Sequence, residues 1–330
     1  MLRALAAGIA AAAAGAALAQ VPAPKDAATV AWPSRAVQLV VPSPAGTGID
    51  VVARTLAQRL SQQWGHPVVV QNRAGANSII GTESVARAVP DGYTLLFASD
   101  ATFTVLPHLH AKLPYDPLRD FAPITQVVTF HQLLVAHPSL GAGSVADLVA
   151  LARAQPGAIT YASFGAGSAA HLLSELLRSQ TRTELLHVPY KGIGPAVAAV
   201  LAGEAKITWA GVYSTEAHVK AGRLKALAIA APERSAFLPE VPTFAELGYP
   251  AVAYDLWFGL FAPAGTPRAV IDRVHRDVAR ILADPGVDAQ DLRAKGYAPT
   301  GIAPDAFAEH LRRELAARAV VVQLSGAKLE

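Results

Sequence analysis

Ser168 and His171 stand on one turn of a helical segment, and with Asp50 or Asp100 beside them they would supply the nucleophile, base and orienting acid of an acyl-transfer enzyme. The surrounding residues argue against it. No Gly-x-Ser-x-Gly elbow holds the serine, and a Ser placed directly ahead of an apolar helical run has a sufficient role as its N-cap. His108 and His110 offer imidazoles, yet no His-Glu-x-x-His pattern or carboxylate cluster accompanies them, so they read as a loop histidine pair and no metal is expected. Gly165-Ala166-Gly167-Ser168-Ala169-Ala170 imitates a dinucleotide fingerprint, but no Asp or Glu ends the next strand, Leu185 to Val188, and no cofactor is expected. A hydrolase stays as the alternative reading. The stronger chemistry is anion binding by backbone amides.

Two stretches carry that chemistry, and each is a strand, a glycine loop and a helix. In the first, Leu39 to Val41 is an apolar run suited to a strand buried on both faces, and Val52, Leu56, Leu60 and Trp64 recur as on the buried side of an amphipathic helix. Between them, Pro42 and Pro44 stiffen the turn, Gly46 and Gly48 bare the backbone, and Thr47 with Asp50 has the spacing of a capping box. Asp50 reads chiefly as a brace of this helix start. The second copy runs from Ile159 to Ser163 through Phe164-Gly165-Ala166-Gly167 to Ser168 and a helix with Leu172, Leu173, Leu176 and Leu177. Two such helix starts can face one another across a cleft.

The remaining elements follow the same alternation. Val68 to Val70 and Thr94 to Ala98 read as strands, separated by a polar loop containing Asn77 and a helix from Ile79 to about Val89; Ser99 ends the third strand. A long strand-like run from Phe121 to His137 suits a crossover into a second lobe, and Tyr254 to Ala262 a crossover back. Between them lie a helix capped by Ser144, strands at Leu185 to Val188, Lys206 to Trp209 and Leu224 to Ala230, and the turn at Tyr190. Helices start near Pro267 and Pro304. The fold class is therefore α/β with two lobes and two hinge strands: 20–125 and 255–330 form lobe 1, and 126–254 form lobe 2. Tyr190, Tyr213, Tyr254 and Trp257, at strand ends, are candidate cleft aromatics.

Composition narrows the functional classes. At 330 residues and 52% hydrophobic, the chain can bury two cores, so disorder is not expected. A formal charge of +3 without any basic cluster excludes nucleic acid as an expected partner. Residues 1–19 combine Arg3, an Ala-rich apolar run and Ala17-Leu18-Ala19, which reads as a signal peptide cleaved to leave Gln20 first. No later segment offers eighteen uninterrupted apolar residues. The chain has no Cys, which removes lipoprotein anchoring on a Cys, disulfides, thiol catalysis and Cys-ligated zinc. Export without Cys fits a bacterial periplasmic protein.

The motifs Trp32-Pro33, Pro42-Ser43-Pro44-Ala45-Gly46 with Asp50-Val51-Val52-Ala53-Arg54, Asn72-Arg73-Ala74-Gly75-Ala76, Pro90-Asp91-Gly92-Tyr93-Thr94, Leu113-Pro114-Tyr115-Asp116-Pro117, His187-Val188-Pro189-Tyr190-Lys191-Gly192, Leu238-Pro239-Glu240-Val241-Pro242-Thr243 and Leu260-Phe261-Ala262-Pro263 resemble, in order, those of the Bug family. These are periplasmic receptors of the tripartite tricarboxylate transporter type. The resemblance implies a Venus-flytrap fold that binds a small organic acid and delivers it to membrane permease subunits, without catalysis; a monomer is expected. It also implies that a ligand carboxylate is held by the amides of the first loop, often through water, at Ser43, Ala45, Gly46 and Thr47. The second loop would take the other end, at Ala166, Gly167, Ser168 and His171. With these go Asn77, Ser99, Tyr190, Tyr213 and Trp257 as ligand-binding candidates. The chain departs from the family pattern at Thr47, where a second Gly is usual, and at Ile49, where Thr is usual. A Cβ at 47 would crowd the loop and favour a monocarboxylate or aromatic acid over citrate-like ligands.

Overall fold

The computed structural model describes residues 32–252, 255–287 and 292–326; the segment 1–19 with its expected cleavage point, and Tyr254, lie outside the described residues. Strands β1 (Val37–Val41), β2 (Val68–Asn72) and β3 (Thr94–Ser99) are parallel, joined by α1 (Gly48–Trp64) and α2 (Ile79–Ala86). Two short helices, α3 (Asp100–Thr104) and α4 (Leu106–Leu109), precede β4 (Phe121–Phe130). The chain then enters a second sheet with β5 (Gln132–Ala136), α5 (Val145–Ala154), β6 (Thr160–Ser163), α6 (Ala169–Thr181), β7 (Leu186–Pro189), α7 (Ile193–Leu201), β8 (Ile207–Gly211), α8 (Val212–Lys220) and β9 (Lys225–Ile229). It returns through β10 (Leu256–Pro263), α9 (Arg268–Leu282), the single turn α10 (Pro285–Val287), β11 (Ala298–Pro299) and α11 (Pro304–Ser325). Strand order is β11-β4-β10-β3-β1-β2 in the first sheet and β7-β6-β8-β5-β9 in the second.

The run expected as one crossover from Phe121 to His137 is two strands that break at His131. β4 stays in the first sheet to its last residue, because Thr129 and Phe130 pair with Trp257 and Leu256. The first sheet thus continues past 125, and the chain changes sheets at His131 and near Asp255. The helix expected to reach Val89 stops at Ala86, and Val89 is exposed.

On one face of the first sheet, α1 buries Val52, Leu56, Leu60 and Trp64 against β1 and α9, the period expected for an amphipathic helix. Each fully buried side chain of this size contributes roughly 1.5–3 kcal/mol. Trp64 Nε1 donates to Asp277 Oδ2 at 2.8 Å, which locks α1 to α9. The other face packs α2, α3 and α11 over an aromatic core in which Phe103 stacks on Phe261 and Phe307 lies edge-on to Trp257. A Cβ on Gly259 would stand 2.6 Å from the Phe307 ring, so glycine there lets α11 settle on β10. In the second sheet, Leu172, Leu173 and Leu177 of α6 pack with Tyr161 and Trp209. Leu106 and Leu109 of α4 and Val322 of α11 join that same cluster, so the two halves are in apolar contact beyond the crossing strands.

Candidate functional site

Sheet register places the loops. Phe130 and Leu256 are partners at the point of crossing, Phe258 pairs with Ser99 at the end of β3, and Gln132 at the start of β5 pairs with Gly211 at the end of β8. Since β1 runs parallel to β3, and β6 parallel to β8, both sheets turn the carboxyl ends of their parallel strands toward the crossing. Ligands of open α/β sheets bind beyond those ends. His131 Nε2 lies 3.0 Å from Asp255 Oδ1, tying the two crossing segments together, and this bond holds the Asp255 carboxyl below its usual range against the opposing effect of burial.

The first loop is built around Asp50 rather than around a Thr47 cap. Thr47 has extended backbone (φ −75°), which asks for no glycine, and its hydroxyl donates to Pro44 O at 2.8 Å and lies 3.1 Å from Ser43 Oγ. The expected capping box is absent. Asp50 Oδ2 instead accepts from the Gly46 amide at 2.8 Å and from Arg54 Nε at 2.9 Å, while Oδ1 accepts from Asn72 Nδ2 at 2.8 Å. Burial works to raise the Asp50 pKa, but the bonds from Arg54, Gly46 and Asn72 outweigh it and keep the carboxyl below its ordinary value. One expectation changes. Gly46 is not a free donor, because Asp50 takes its amide; the Thr47 hydroxyl is folded into the loop. Gly48 and Ile49, in the first turn of α1, have amides without an intrahelical acceptor. Ala45 is exposed and Ser43 half-buried at the same edge.

The second loop hangs on a stack of rings. Tyr161, His187 and His171 lie nearly parallel, with centroids 4.8 Å apart for the first pair and 4.3 Å for the two histidines. Ser168 caps α6 as expected, accepting from the His171 amide at 3.4 Å. His171 is buried, and its Nδ1 accepts from the Gly167 amide at 3.1 Å, so the ring proton is on Nε2. Gly167, like Gly46, therefore spends its amide inside the protein. The imidazole of His171 is turned to the loop and not to Ser168 Oγ, which separates the two members of the supposed nucleophile–base pair. His187 Nε2 lies 2.6 Å from Ser163 Oγ, which in turn bonds both backbone groups of Gly165. Burial lowers the pKa of both histidines, that of His187 to about 4, so both are neutral at pH 7. Ala166 is half-buried; the amides of Ala169 and Ala170, in the first turn of α6, have no intrahelical acceptor, and both residues are buried. Gly167 (φ +74°) also touches the first half, since a Cβ there would run into Leu109 Cδ1 of α4.

The other candidates separate by burial. Asn77 is exposed in a loop where Ala76, Asn77 and Ser78 have φ values of 45°, 51° and 75°, a run of left-handed residues that ordinarily marks a functional constraint. Ser99 is half-buried at the start of α3, 3.3 Å from Thr102 Oγ1. Tyr190 is half-buried after β7, its amide donating to Ser163 O. Tyr213, at the start of α8, is 61% exposed. Trp257 is a correction: its alternation along β10 points it away from the cleft, fully buried against Phe261 and Phe307. His108 is on α4 rather than in a loop, with Nε2 2.7 Å from Leu315 O.

One cleft residue escaped the sequence reading. Tyr297 follows the turn that precedes β11, with its ring edge-on to Phe130 at 5.5 Å and tilted to Phe258 at 5.8 Å, and its hydroxyl lies over Gly48. Glycine at 48 was the only sign, since a Cβ there would meet that hydroxyl.

Comparison with known proteins bears on this geometry. Residues 52–321 match the model of the tripartite tricarboxylate transporter family receptors. The chain is 40% identical over 300 residues to protein BugT of Bordetella pertussis, covering 91% of this chain and 92% of that one. An R. palustris protein solved with adipate superposes with a TM-score of 0.83 at 33% identity, over 90% of this chain and 100% of that one. MatC from Rhodopseudomonas palustris, solved with bound malate, gives 0.78 at 30% identity, over 88% and 100%.

Proposed function

Because the chain belongs to the tripartite tricarboxylate transporter family receptors, we propose that it is a periplasmic receptor that seats a small mono- or dicarboxylate between its two sheets and hands it to the permease of such a transporter. The observation that carries this reading is the pair of helix starts, α1 and α6, at the edges that face the crossing. Their first-turn amides are uncharged donors, and a helix start favours an anion by about 0.3–1 kcal/mol when exposed, more when partly buried. That two of the protein's structural relatives were solved with adipate and malate supports the ligand class. Ser43, Ala45, Thr47, Asn77 and Ser99 line one side in this reading, and Ala166, Ser168, Tyr190 and Tyr213 the other. Gly46, Gly167 and His171 serve by shaping their loops. The export segment ends at Ala19, the mature chain acts as a monomer, and its lobes meet at His131 and Asp255. The ligand leaves unchanged.

Calorimetric titration of the mature chain with acids and their amides tests the proposal. Carboxylates should bind and be recovered intact by mass spectrometry. Binding confined to neutral or cationic compounds would overturn it, and so would turnover of an ester or amide.

A further inference from the structure

Resting on the carboxylate-receptor reading, we propose that Tyr297 is a ligand-contacting, specificity-determining residue whose phenol donates to the carboxylate seated at the start of α1. Its placement is over-determined. Phe130 and Phe258, one at the end of β4 and one in β10 beside the crossing, fix the ring from the first sheet. From the other side, Gly296 (φ 75°) brings the turn against Val212 and the Tyr213 amide at the start of α8, each within 3.8 Å of a Cβ built at 296. The hydroxyl thus sits where the first glycine loop, the second sheet and the crossing strands meet.

The position of that hydroxyl suits a ligand. Tyr93, Tyr115 and Tyr161 each hold their hydroxyl in a hydrogen bond, to Ser34, Thr102 O and Glu175 Oε1. Among the described residues the hydroxyls of half-buried Tyr190, Tyr249 and Tyr297 have no such bond, and that of Tyr297 stands against the start of α1. A phenol that still reaches solvent can exchange water for a ligand, and a carboxylate is the acceptor that forms the stronger, charge-assisted bond. Burial pushes its pKa up to about 12, with a further contribution from Tyr213, so it is an O–H donor at any physiological pH. It stands beside Gly48, the first residue of α1, whose amide has no intrahelical acceptor. A carboxylate bridging the two would take one bond from the helix start and one from the phenol. The rigid ring would also set how bulky an acid the first loop accepts.

The test is Tyr297→Phe, which keeps the ring packing and deletes one oxygen. Parent and variant would be titrated with malate, succinate, adipate and benzoate, and their melting temperatures compared without added acid. The expected result is an affinity loss of fivefold or more for the tightest of the four, with no matching change in the unliganded melting temperature. If the parent binds one of these acids and the variant binds it with less than a fivefold loss, the assignment of Tyr297 falls while the receptor reading stands. If the parent binds none of the four, the carboxylate reading fails and this inference with it.

Discussion

Asp100 is 2% exposed at the start of α3, and its Oδ2 has no hydrogen-bond partner among the described residues. Burial is the main reason that its pKa rises to about 7; Arg318 of α11 pulls it down and Glu314 pushes it up. Since the unfolded chain gives up this proton near 3.8, the folded state holds the extra proton between about pH 4 and 7, and stability from this group is lost as pH rises through that window. His187 has the opposite sign. Its folded pKa of about 4 lies below the ordinary 6.5, so its share of stability is present above 6.5 and lost as pH falls toward 4. The prediction is that Asp100→Asn stabilises the fold at pH 8, by on the order of a few kcal/mol at most, seen as a higher melting temperature, and changes stability little at pH 4.5. Thermal unfolding at both pH values checks it. Equal gains at the two pH values would show that the carboxylate charge is not the cause.

At the scale of the element, the two glycine loops differ in a way that their similar sequences conceal. A Cβ on Gly46 (φ +80°) would meet nothing within 4 Å, whereas one on Gly167 (φ +74°) would collide with Leu109 of α4. Both positions carry the cost of left-handed backbone, about 1–2 kcal/mol for a residue with a side chain. Only the second also carries a steric term. Gly46→Ala should therefore lose about that much stability, and Gly167→Ala more. Adding Leu109→Ala should return part of the loss in the Gly167 variant alone, a coupling that a urea-denaturation double-mutant cycle reads directly. Additive effects of Gly167→Ala and Leu109→Ala would mean that the loop does not lean on α4.

For the whole molecule, the question is how much the halves move. The chain crosses between sheets at two places, pinned together by the His131–Asp255 bond, which favours rotation about one short axis. Val322 of α11 and Leu109 of α4 nevertheless pack with the core of the second half, so closure must preserve or remake those contacts. We expect a saturating acid to shrink the radius of gyration in small-angle scattering of protein first stripped of bound ligand. An unchanged radius on saturation would count against the hinge. His131→Ala should leave affinity within a few-fold while loosening the unliganded form, seen as a larger change in radius on binding.

The strand–loop–helix units, the Ser144 and Ser168 caps and the buried stripe of α1 were all legible in the sequence, because each depends on residues within a turn or two of one another. So was the two-sheet plan, which follows from the alternation of elements and the two long strand-like runs near 130 and 255. Which groups finish the site was decided by tertiary structure. Asp50 takes the Gly46 amide and His171 takes that of Gly167, and these short bonds form only because loop backbone is bent by what packs around it, Asn72 on one side and the His187 stack on the other. Trp257 went to the core because Gly259 lets Phe307 of α11 lie against its strand. Tyr297 reaches Gly48 across most of the chain. No local pattern records a contact between residues so far apart, since their meeting is set by the register of β11 on β4 and by the packing of α1 on β1, β2 and α9.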